Sequence, residues 1–116
     1  MRPEIKERID REIREHPVTI YMKGTEMFPR CGFSAATVEA LRQAGAQGKI
    51  HSVDVLADPE LRESLKEYSD WPTIPQVYIA GEFIGGCDIT RDLYQTGELQ
   101  TKITSALEDG GASGRP

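Results

Sequence analysis

The sequence is poor in the features from which disulfide scaffolds, membrane spans and nucleic-acid clamps are built. Only two cysteines, Cys31 and Cys87, occur in 116 residues. That is too few for a disulfide framework, and a reducing compartment would keep both as thiols. No apolar run approaches the roughly 20 residues of a membrane span. Basic residues are in deficit: 14 Lys and Arg stand against 19 Asp and Glu, a formal charge of −5. Nucleic acid and anionic membranes are therefore disfavoured as main partners. The opening Met1-Arg2-Pro3-Glu4-Ile5-Lys6 lacks the apolar stretch of a secretory signal and is too acidic for a transit peptide, so a cytoplasmic protein is expected. Internal repeats, long low-complexity runs and interdomain linkers are missing too. What remains, 38% apolar and 28% charged residues, suits one globular domain with its own core.

The elements follow from periodicity and punctuation. Ile5, Ile9 and Ile13 form the stripe of an amphipathic helix that stops before Pro17. Val18 to Met22 is β-branched and mostly apolar, as a buried strand would be. Gly24 to Arg30 is irregular, and Ala35 to Ala44 predicts a helix with Ala36, Ala40, Leu41 and Ala44 on one face, ended by Gly45. Ile50 to Val55 predicts a second strand. Asp58-Pro59 then supplies an N-cap and first-turn proline before the stripe Leu61, Leu65, Tyr68. Gln76 to Ala80 and Glu82 to Ile84 flank Gly81 as a tight hairpin, and Leu99, Ile103 and Leu107 mark a last helix. The Gly-rich stretch 109–116 has no core face and is expected to be a disordered tail. Together these elements predict an α/β chain resembling the thioredoxin-like fold, a four-stranded mixed sheet with helices on both faces.

Chemistry concentrates at a few positions. Cys31 stands where the irregular loop meets a helix, so unpaired backbone N–H groups and the helix dipole would favour its thiolate, with Lys23 and Arg30 adding positive potential. A buried structural cysteine is the competing interpretation. Three residues on stands Ser34, whose hydroxyl cannot resolve a mixed disulfide. Cys31 is then left with a monothiol cycle using an external thiol, or with service as a metal ligand. Thr73-Ile74-Pro75 precedes a strand, where a cis proline would leave backbone groups open to an extended peptide and a trans proline would be ordinary. Gly85-Gly86 permits close approach to a ligand, and Asp88 opens the next helix, as ligand anchor or simple N-cap. Phe33 is expected on an apolar rim and Trp71 in the core. Zinc is discounted, because Cys31, Cys87, His16 and His51 include no closely spaced ligand pair.

Four blocks carry a family resemblance: Lys23-Gly24-Thr25, Pro29-Arg30-Cys31-Gly32-Phe33-Ser34, Trp71-Pro72-Thr73-Ile74-Pro75-Gln76 and Gly85-Gly86-Cys87-Asp88. In this order and spacing they resemble the monothiol glutaredoxins of the CGFS type, over roughly residues 3 to 108. The resemblance implies a glutaredoxin domain over residues 1–108, with glutathione held by Lys23, Arg62, Ile74, Cys87 and Asp88. Lys66, one turn from Arg62, competes with it for the carboxylate role. It further implies that Cys31 is both the reactive cysteine and the metal ligand. A 2Fe-2S cluster asks for four thiolates; two chains and two glutathiones would provide them in a bridged homodimer, the apo chain being a monomer. The function implied is an iron-sulfur carrier that delivers clusters to apo-proteins, with a BolA-like protein as possible partner. The alternative is a glutathione-dependent oxidoreductase acting through Cys31, with Cys87 as a conceivable resolving thiol. Glu26 departs from the pattern, standing where many members have proline.

Overall fold

The computed structural model describes residues 1–109. Helix α1 (Pro3–Glu15) precedes strand β1 (Val18–Met22), and α2 (Gly32–Leu41) runs into a wide turn over Arg42–Ala46 before β2 (Ile50–Asp54). Helix α3 (Pro59–Ser69), the hairpin β3 (Gln76–Ile79) and β4 (Glu82–Gly85), and helices α4 (Cys87–Thr96) and α5 (Glu98–Glu108) complete the chain. The strand order is β2-β1-β3-β4; β1 runs parallel to β2 and antiparallel to β3, which pairs antiparallel with β4. This is the thioredoxin-like sheet that the sequence predicts.

Strand alternation sends side chains to opposite faces, and β1 uses both because it lies inside the sheet. Val18, Ile20 and Met22 join Val77 and Ile79 in a core closed by Leu41, Leu99 and Ile103 from α2 and α5. Tyr21 and Tyr78 point the other way, into a core with Ile5, Ile9 and Ile13 of α1 and Leu61 and Leu65 of α3. Their rings meet edge to face at 5.7 Å, a favoured aromatic geometry. The N-cap role expected of Asp58 is real: its Oδ1 accepts the Leu61 N–H at 3.1 Å. Ion pairs brace α3 against α1, with Arg2 bound to Glu60 at 2.8 Å through Nη2 and Arg8 Nη1 to Asp58 at 3.1 Å.

The structure adds detail to three elements. The buried face of α2 begins earlier than its alanines suggest and takes in the polar Ser34 and Thr37. Strand β2 is half-buried because it lies at the sheet edge. The C-terminal helical region is two helices, since Gly97 with φ 86° separates α4 from α5. Asp109, first residue of the expected tail, caps α5 through its N–H to Ser105 O; the rest of that tail lies outside the described residues. His16 and His51 stack with ring centroids 3.7 Å apart. Even so, no group of three or more His, Cys, Asp or Glu among the described residues could hold a metal ion.

Candidate functional site

Cys31 is the N-cap of α2 and takes an extended conformation at φ −152°. Its sulfur therefore faces the first free N–H groups of the helix. The thiol pKa is lowered chiefly by the backbone N–H of Ser34, then by that of Phe33, by the Lys23 ammonium and by the Ser34 hydroxyl, against a smaller opposing effect of burial. Arg30 is exposed. Ser34 is fully buried, and its Oγ accepts the Lys23 N–H at 3.1 Å, locking the end of β1 to the start of α2.

The loop before Cys31 is tightly closed. Arg30 N–H donates to Lys23 O at 2.9 Å, and Thr25 and Phe28 exchange backbone hydrogen bonds at 3.1 and 3.2 Å. Gly24 makes this possible: at φ +88° a Cβ would lie 2.5 Å from Phe28 O and 2.6 Å from Arg30 N. Its own N–H donates to Asp54 Oδ1 at 3.0 Å, tying the loop to the end of β2. Glu26, the departure from the family pattern, accepts from Arg42 Nη2 at 3.3 Å and so pins the loop to the end of α2. Met27 and Phe28 are left exposed at the loop's tip.

Beside the thiol opens a cleft of about 640 Å³ whose walls include Lys23, Arg62, Ile74, Cys87 and Asp88. All five residues assigned to glutathione therefore meet in one place. Cys31 is held next to it through Phe33 and Lys23, both of which line the cleft. Phe33 is the exposed rim expected of it. Lys66 joins Arg62 in the wall but already contacts Glu63 at 3.1 Å. Arg62 Nε, by contrast, is buried and has no hydrogen-bond partner, an arrangement that leaves a donor for an anionic ligand.

The opposite wall is backbone. The Ile74-Pro75 peptide is cis, and among the described residues Ile74 N–H and C=O make no hydrogen bond. Beneath this segment the buried Gln76 side chain donates to Trp71 O at 3.2 Å and to Thr73 O at 3.4 Å, holding it in place. The cleft closes on the start of α4, where the N-cap is Gly86 rather than Asp88, and Cys87 and Asp88 form the first turn. Cys87 is buried and Asp88 exposed.

Trp71 corrects one expectation. It lies outside both cores, half-buried, with its side chain in the cleft wall and its ring 5.8 Å from that of Phe83. Asp54 also positions the site and escapes sequence reasoning, because folding alone brings it to Gly24, thirty residues away; Gln76 stands in the third block, but its side-chain bond to Trp71 O is not legible there. The lining offers two cations in Lys23 and Arg62, one carboxylate in Asp88 and the open backbone of Ile74, the groups that recognise the charged ends and main chain of a short extended peptide.

Comparison with known proteins agrees with this geometry. The glutaredoxin family model matches residues 18–84. A ycf64-like monothiol glutaredoxin of Synechocystis sp. is 51% identical over 107 residues, covering 92% of this chain and 98% of its own. Glutaredoxin 4 of Escherichia coli is 47% identical over 97 residues, covering 84% and 83%. The solution structure of reduced apo GrxS14 from poplar superposes with a TM-score of 0.78 at 48% identity, covering 89% of this chain and 93% of that one.

Proposed function

Because the chain belongs to the glutaredoxin family, with monothiol glutaredoxins among its relatives, we propose that it binds a glutathione-ligated 2Fe-2S cluster and passes it to apo-proteins. The observation that carries this reading is Cys31, a thiol of lowered pKa at the N-cap of α2, beside a cleft that holds an unpartnered arginine donor. Ser34 removes disulfide resolution within the Cys31–Ser34 motif, which leaves Cys31 available as a metal ligand.

In this reading the cluster is cargo. One chain offers one well-placed sulfur, and two chains with two glutathiones complete four thiolates. The loaded form is then a homodimer and the empty form a monomer. Lys23 and Arg62 neutralise glutathione carboxylates, Asp88 or the first turn of α4 takes the remaining charged end, and the Ile74 backbone orients the peptide so that its thiol stands near Cys31. Half the ligands are exchangeable, which suits a carrier better than a store. Apo-proteins and a BolA-like protein are the partners this implies, in the cytoplasm.

The test is anaerobic reconstitution with iron, sulfide and glutathione, followed by absorbance and size-exclusion chromatography. Wild type should become a coloured dimer and Cys31→Ser should not. A colourless monomer under all conditions refutes the proposal. The lowered thiol pKa also suits a glutathione-dependent oxidoreductase. Rapid turnover of glutathione mixed disulfides without cluster binding would favour that second reading.

A further inference from the structure

Trp71 is the only tryptophan in the chain, and its indole N–H is buried with no acceptor. Buried polar groups are almost always paired, so an orphaned donor asks for a reason. The contacts of the indole show what the ring does there. A Cβ built on Gly86 would stand 3.3 Å from Trp71 Nε1 and 3.3 Å from Pro75 O. The indole edge therefore rests directly against Gly86, which itself lies against the cis-proline segment. Behind it the ring packs on Phe83, and Phe83 packs on Tyr78 at 5.3 Å. The backbone on either side is fixed as well: Trp71 N–H donates to Lys66 O at 3.2 Å, and Gln76 holds Trp71 O.

Gly86 is the N-cap of α4, whose first turn carries Cys87 and Asp88. Its carbonyl accepts from both Thr90 N–H at 3.0 Å and Thr90 Oγ1 at 2.7 Å, so Gly86 and the helix move as one piece. Trp71 thus sits as a spacer between the Ile74-Pro75 wall and the Asp88 wall of the cleft. Resting on the reading that this cleft binds glutathione, we propose that Trp71 is a positioning residue that sets the distance between these walls, and so the affinity for the peptide. Its hold on the Asp88 wall runs through Gly86 and α4.

The experiment is an NMR titration of the apo chain with reduced glutathione for wild type, Trp71→Phe, Trp71→Ala, Asp88→Ala and the double variants. Trp71→Phe keeps a ring against Phe83 but withdraws the indole edge from Gly86, so it decides the matter if Trp71→Ala does not fold. Binding should weaken about tenfold in Trp71→Phe, as misplacement of a preorganised group does. The shift changes at Cys87 and Asp88 should shrink while those at Ile74 persist. In the Asp88→Ala background the Trp71 effect should largely vanish, because both act through the same wall. Unchanged affinity in Trp71→Phe, or full additivity with Asp88→Ala, overturns the proposal while leaving glutathione binding intact. Absence of glutathione binding by wild type overturns the functional reading and this inference with it.

Discussion

Replacing Ser34 with alanine separates what the Ser34 side chain does from what the backbone around Cys31 does. The hydroxyl is fully buried, and its Oγ is the acceptor for Lys23 N–H. In Ser34→Ala that N–H loses its partner, and a buried unsatisfied donor costs about 1–3 kcal/mol. The void left by one oxygen adds no more than about 1 kcal/mol. With a urea dependence of about 1–3 kcal/mol per molar for a small domain, the unfolding midpoint should fall by roughly 1 M. The thiol should respond much less. Cys31 owes its lowered pKa first to the Ser34 backbone N–H, which alanine keeps, and only last to the Ser34 hydroxyl. The pH dependence of Cys31 alkylation should therefore move upward by only a minor part of the original lowering. A thiol that reverts fully to ordinary behaviour would refute the assignment to the helix N-terminus. A midpoint that does not move would refute the structural role of the hydroxyl.

Gly24→Ala forces a side chain into the left-handed region and onto Phe28 O and Arg30 N. Strain and overpacking of this kind cost about 2–5 kcal/mol together, and urea unfolding should show the loss while faster proteolysis marks loop 24–30. Arg62→Ala should weaken glutathione binding about tenfold or more, because a charge-assisted bond contributes about 1.5–3 kcal/mol, and calorimetric titration will read it. Asp58→Ala removes the cap of α3 and the Arg8 contact, with an expected loss of about 1 kcal/mol in thermal or urea unfolding. At alkaline pH the tyrosines set the limit. Burial, assisted by Asp10, raises the Tyr68 pKa to about 12, and burial raises Tyr21 and Tyr78 further. A raised folded pKa means that stability is fully present below the unfolded value near pH 10 and is lost as pH climbs toward the folded one. Unfolding free energy should thus fall steadily from pH 10 to 12, with a shallower slope in Tyr68→Phe.

Where local rules decide, the sequence and the structure agree closely. The isoleucine stripe of α1, the span of β1 and the cap pair Asp58-Pro59 each depend on neighbours a few residues away. Cys31, Lys23, Ile74, Cys87 and Asp88 are legible through four short blocks whose combined spacing is specific, whereas Arg62 stands outside those blocks. Long-range placement was not. The half-buried state of β2 follows from its edge position, which residues 50 to 54 cannot express alone. Nor does an alanine-rich helix announce that Ser34 and Thr37 are buried: Thr37 is satisfied locally by Phe33 O at 2.7 Å, and Ser34 by the N–H of Lys23, eleven residues earlier and just past β1. The average habit of tryptophan places Trp71 in a core, whereas a glycine fifteen residues later makes room for it in the cleft wall.

The cleft gathers residues from the end of β1, the first turns of α3, the segment before β3 and the start of α4. These four stretches are neighbours only in the folded chain, so the unfolded chain has no equivalent site. Any occupant is consequently a folding ligand as much as a cofactor. Glutathione at one hundred times its dissociation constant would add about 2.7 kcal/mol to the folded state. The protein's lifetime would then track the supply of the same tripeptide that equips it for its task.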